Sequence, residues 1–248
     1  MRYFKTGRLY CFSPPVMIAT FFIEIVSAVY LLYRYQLTQV TRLASLVLVC
    51  LAVFQLAEYN VCEGAFGMNS LDWSRLGYVA ITFLPPLGIH MIYAIAGKTN
   101  RAIVGASYGL AAAFSIFFLT VGQGISASQC LGNYVIFTTA PAMVLPYQLY
   151  YYGLLIFAVW LAFSLGSQQT SRPIKRALYG LTAGYLAFMI PTTAVNAINH
   201  DTMAGIPSIM CGFAVLLALI LTFYVVPEYM KVAQKGKFWK KLHAVLGK

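Results

Sequence analysis

Between Leu71 and Gly97 the chain reads LDWSRLGYVAITFLPPLGIHMIYAIAG, an apolar run long enough to cross a bilayer, interrupted by Pro85-Pro86 and followed by His90. A helix in lipid must satisfy its own backbone, because the surroundings offer no hydrogen bonds. A Pro-Pro step removes two donors, so the carbonyls of Ile81 and Thr82 lose their helical partners. Protein or water must then surround the step. The pattern predicts a kinked helix near the centre of a bundle.

The rest of the chain is built in the same way. Hydrophobic residues make up 60% of it and charged residues 9%, where a soluble domain carries about 25% charge. The mean hydropathy is +0.76. A chain of 248 residues cannot hide so much apolar surface in one globular core, and its runs are far too long for barrel strands. The expected fold is an all-α integral membrane protein, a seven-transmembrane-helix bundle. Its spans are Pro15–Tyr33, Leu43–Cys62, Leu76–Ala96, Ala102–Val121, an overlong Val135–Leu165, Ala177–Asn199 and Ala204–Val226. Residues 1–227 form this domain and residues 228–248 a basic tail. Glu24 in the core of the first span, with its basic Tyr-Arg-Tyr flank, predicts a retained span rather than a cleaved signal peptide.

The formal charge of +11 is topological rather than a sign of nucleic-acid binding, because the basic residues lie in short connections and the tail. One side collects thirteen of the seventeen: Arg34, Arg42, Lys98, Arg101, Arg172, Lys175, Arg176 and six lysines from Lys231 onward. The other side has Arg2, Lys5, Arg8 and Arg75. Positive residues mark the cytoplasmic face, so the N-terminus is expected outside and the C-terminus in the cytoplasm, in a multi-pass cell membrane protein. In the tail, Val232, Phe238, Trp239, Leu242, Val245 and Leu246 tend to one helical side. Lys237, Lys240 and Lys241 fall among the lysines of the other. That is the pattern of an amphipathic helix lying on an anionic leaflet.

Polar side chains inside a span are costly and mark functional positions. Here they concentrate in the outer half. The expected pocket opens outward and is lined by Glu24, Gln55, Glu58, Gln148, Thr192 and Asn196. Gln55 and Glu58 are three apart and share one helix face. The same amides could instead only tie helices together. Pro85, Pro86 and His90 are the candidate conformational switch. The alternative for His90 is a histidine hydrogen-bonded within the bundle. Cys62 and Cys130 fall on the outer side, where an oxidising compartment would allow them to pair.

Several chemistries are missing. The seventh span has no lysine for a retinal Schiff base. No His-Glu-x-x-His, Gly-x-Ser-x-Gly or phosphate loop occurs. Three histidines, His90, His200 and His243, do not assemble the multi-histidine metal site of seven-span lipid hydrolases in its usual form, and they are equally poor material for bis-histidine haem ligation. The expectation is a non-enzyme without metal or cofactor.

The segment RLGYVAITFLPPLGIHMIYAIAG resembles the third span of the seven-helix sensor region at the N-terminus of some bacterial histidine kinases. AVFQLAEYN resembles that family's second span, and VLLALILTFYVVPEYMK its seventh, which runs into the cytoplasmic effector. The resemblance implies a seven-helix fold and a sensing role, and it identifies no ligand-contacting residue. No kinase domain follows in this sequence, so output is expected to pass to a partner protein in the membrane or cytoplasm. The primary expectation is a sensor or receptor-like protein. The alternatives are an accessory subunit of a larger membrane complex and a small proton-coupled transporter using Glu24 and Glu58.

Overall fold

The computed structural model describes residues 14–64, 67–120, 124–130, 135–199, 202 and 205–234, with the side chains of 126–130 left aside. The described residues are nearly all helical, and among them seven helices are long and apolar enough to cross a membrane. It is a multi-pass membrane protein. The elements in order are α1 (Pro14–Arg34), α2 (Gln39–Glu63), α3 (Ser70–Thr82), α4 (Leu84–Ala96), α5 (Arg101–Thr120), β1 (Ile125–Cys130), β2 (Val135–Thr139), α6 (Pro141–Ser167), α7 (Arg172–Ile198) and α8 (Ile206–Ile220). Together α3 and α4 make one span, Ser70–Ala96, and α8 continues through a π turn at Leu221–Val225 as far as Gln234.

The Pro-Pro span is central, as its sequence requires. It and α2 are each 67% buried over their apolar windows, against 22% for α5. The α2 helix packs on α1, α3, α4 and α8, while α4 also meets α5, α6 and α7. Lipid tails are as apolar as leucine, so helices associate in membranes through close packing of small residues. At Gly88 of α4 this approach is extreme: an added Cβ would fall 1.7 Å from the Tyr185 hydroxyl of α7. The span ends where Gly97 takes a left-handed φ of 66°. That lets the N–H groups of Gly97 and Lys98 turn back onto the last carbonyls of α4, a glycine-capped helix end.

Two boundaries differ from the sequence reading. The overlong fifth run is not all helix. Val135–Thr139 is strand β2, paired antiparallel with β1 in a two-stranded hairpin whose register runs from Cys130↔Val135 to Ile125↔Thr139. Val-Ile-Phe-Thr-Thr is β-branched and aromatic, and Pro141 fixes the helix start while holding Ala140 extended. Val135 and Phe137 are buried, with more exposed residues between and after them. The ring of Phe137 lies 5.9 Å from Phe54 and 5.3 Å from Tyr78. The hairpin thus closes one end of the bundle over α2 and α3.

The second difference is at Pro227, where the helix does not stop. A proline in a helix removes one N–H and crowds the preceding turn. Here the turn before it widens, with the Val226 N–H reaching back to the Leu221 carbonyl, and the helix carries on. Such π turns absorb one residue out of step. Lys237, Trp239, Lys240 and Lys241, the proposed membrane-surface set, lie outside the described residues.

Candidate functional site

The site is built around the break in the central span. Pro85 and Pro86 supply no N–H for the carbonyls of Ile81 and Thr82. The chain leaves the helix for one residue, Phe83, whose own N–H turns back to the Ile81 carbonyl. The Thr82 carbonyl is taken by a side chain, the Tyr150 hydroxyl, which donates to it at 2.6 Å. The Thr82 hydroxyl in turn donates to the Tyr78 carbonyl at 2.6 Å and lies 3.0 Å from the Tyr147 hydroxyl. Two tyrosines of α6 therefore hold the break closed. Both are buried.

Beside the break is a cavity of about 320 Å³ between α3, β2, α6 and α8. Its walls include Tyr78, Tyr147, Gln148, Tyr151, Tyr152 and Cys211, together with residues 136–139 of β2. Tyrosines dominate. The rings of Tyr78 and Tyr147 lie 5.8 Å apart, and those of Tyr147 and Tyr151 5.9 Å apart. Tyr147 thus belongs to two structures at once: its ring walls the cavity and its hydroxyl meets Thr82 at the break.

Behind that wall lies a pair of acids. Glu24 of α1 is fully buried, with neither carboxyl oxygen partnered among the described residues. Glu58 of α2 is equally buried, with one oxygen unpartnered. Its other link is to the Ser208 hydroxyl at the start of α8, which also accepts the Val135 N–H at 3.2 Å. The two acids lie within electrostatic reach of each other. Both act on Cys211, and Glu58 acts on Tyr78. Cys211 and Tyr78 face the cavity, and neither acid lines it. A buried polar group without a hydrogen bond costs about 1–3 kcal/mol and an unpaired charge far more. Their placement is a local expense that packing alone does not explain.

The six residues predicted to line one pocket divide three ways. Glu24 and Glu58 lie within electrostatic reach of each other, and Gln55, buried with its amide nitrogen also unpartnered, stands three residues before Glu58 on α2. Gln148 lines the cavity. Thr192 and Asn196 join neither: the Thr192 hydroxyl bonds the Phe188 carbonyl of its own helix, and Asn196 accepts the Thr202 hydroxyl. The reading of polar depth missed the tyrosines. Their signal is the run Tyr147-Gln-Leu-Tyr-Tyr-Tyr152, which places hydroxyls around a whole helical turn.

His90 is tied into the bundle. Its Nε2 lies 2.8 Å from the Gln39 side-chain amide and its Nδ1 3.3 Å from the Tyr108 hydroxyl, so it joins α2, α4 and α5. Nearby, Lys98 donates to Gln168 at 3.1 Å and Gln169 to the Ala96 carbonyl at 3.3 Å, linking the α4–α5 and α6–α7 connections. Cys62 is disulfide-bonded, Cys50 and Cys211 are free, and the side chain of Cys130 lies outside the described set. Among the described residues, no group of three or more His, Cys, Asp or Glu side chains is placed to hold a metal. No family model matches the chain, and no curated protein matches it.

Proposed function

We propose that this protein is a non-enzymatic seven-helix sensor. Its cavity receives a small molecule at the end closed by the hairpin, and the broken central span carries the response to a protein partner at the opposite, basic end. The N-terminus lies outside and the basic end is cytoplasmic. Cys62 pairs with Cys130 to fasten the hairpin to α2. The observation that carries the reading is Tyr147. A ligand that shifts its ring in the cavity also shifts its hydroxyl at Thr82, where the helix has no backbone bond of its own. Below the break, α4 leads to His90 and then to the linked basic connections. The likeness of the second, third and seventh spans to a kinase sensor region supports the same reading.

Purification in native lipid, with mass spectrometry of bound small molecules and proteins, tests it. A small molecule retained by the wild type and lost on Tyr147→Phe is the expected result, with a signalling partner present. Stoichiometric recovery in a large assembly, with no small molecule, would sink it in favour of a second reading.

That second reading, an accessory subunit, has one observation behind it. Gly180 and Gly184 of α7 are four residues apart and have Tyr224 and Leu217 packed beside them. Gly105 and Gly109 of α5, at the same spacing, have open space. Paired glycines of this kind are where membrane helices meet.

A further inference from the structure

We propose that the cavity takes a small uncharged carbonyl compound, a mostly apolar or aromatic molecule with one acceptor oxygen. This rests on reading the cavity as a ligand pocket. A volume of about 320 Å³ sits at the small end of small-molecule sites, which span roughly 300–1,000 Å³. The wall is mostly aliphatic and aromatic, and no Lys, Arg, His, Asp or Glu is among its described residues. An ion brought there leaves water and meets no opposite charge in the wall, a far larger cost than desolvating a neutral polar group. The wall therefore favours a neutral occupant.

The polar groups of the wall point to what that occupant carries. Tyr147 is already committed, with its hydroxyl 3.0 Å from that of Thr82. Tyr151, Tyr152 and Gln148 also line the cavity, and they make no hydrogen bond among the described residues. Tyr151 is only 9% exposed and Tyr152 half-buried, and their rings lie 6.2 Å apart, edge to face. A buried polar group without a partner is costly, and an occupant that supplies one removes the cost. A phenol hydroxyl donates better than it accepts, because its lone pairs are shared with the ring. Two neighbouring phenol donors suit a carbonyl oxygen, which has two lone pairs. A hydrocarbon of the same shape leaves both unpaired.

The full chain in phosphatidylcholine nanodiscs, irradiated with benzophenone, tests the class directly. This neutral diaryl ketone bonds to nearby C–H groups under ultraviolet light, and mass spectrometry maps the adducts. Saturable labelling of the lining residues, Met210 among them, is expected. Diphenylmethane, 4-benzoylbenzoate and 4-(aminomethyl)benzophenone serve as competitors, with concentrations referred to lipid by partition into empty nanodiscs. Diphenylmethane lacks the oxygen and should compete about tenfold more weakly than unlabelled ketone, equivalent to about 1.4 kcal/mol. Neither the anion nor the ammonium ion should compete. Tyr151→Phe should weaken benzophenone and leave diphenylmethane unchanged. Should that variant fail to fold, Tyr152→Phe supplies the same comparison, and the wild-type series stands without either. Diphenylmethane competing as well as the ketone, or competition by either ion, overturns the neutral-carbonyl preference and leaves the pocket in place. If no lining residue is labelled saturably, the pocket reading falls with it.

Discussion

At Thr82 three hydroxyls converge where two prolines have removed two N–H donors. The geometry makes a direct energetic claim about Tyr150. Tyr150→Phe strands a buried carbonyl, and the expected loss is about 1–2 kcal/mol, read from reversible unfolding in detergent. In a Pro86→Ala background the residue at 86 regains its N–H and can serve Thr82 itself. The same Tyr150→Phe change should then cost clearly less, a coupling that a double-mutant cycle measures directly. Equal costs in both backgrounds would mean that Tyr150 stabilises by packing alone. The need for such a partner was legible at Pro85-Pro86, because proline's missing donor is a property of the residue. Its identity was not. Tyr150 lies 68 positions from Thr82, and only tertiary packing brings them together. For the same reason Glu24 and Glu58 could be picked out as buried acids, while Thr192 and Asn196, chosen on depth, turned out to bond locally.

The elements show where pattern reading succeeds and where it stops. Seven apolar runs near bilayer length translate into seven spans because hydropathy alone decides that question. A run that merges a strand with a helix defeats it, since β2 and α6 are both apolar and only Pro141 divides them. Pro227 misleads in the opposite direction, because a π turn lets the helix continue. The hairpin is more than a cap, for Phe137 fills the space between Phe54 and Tyr78 and β2 walls the cavity. Phe137→Ala should lower stability by about 3 kcal/mol, measured as a shifted unfolding midpoint. A surface-like effect below about 0.5 kcal/mol would show that the hairpin does not pack as described.

Across the whole molecule, the arrangement separates a tyrosine-lined cavity near the hairpin from a basic face at the far end, with the broken span between them. The proposed orientation makes a labelling prediction: single cysteines at Met68 and Ser171, introduced into a form lacking other reactive thiols, should be labelled by an impermeant reagent from outside and inside respectively. The reverse pattern would turn the pocket toward the cytoplasm. In the proposed mechanism, cavity and break form one unit through Tyr147. Hydrogen exchange in nanodiscs tests it without any ligand. Tyr147→Phe should speed exchange of the amides of Phe83, Leu84 and Leu87 by about tenfold, the opening of roughly 1.4 kcal/mol expected for one lost buried hydrogen bond, and leave α5 unchanged. Identical exchange at the break in wild type and variant would contradict the coupling.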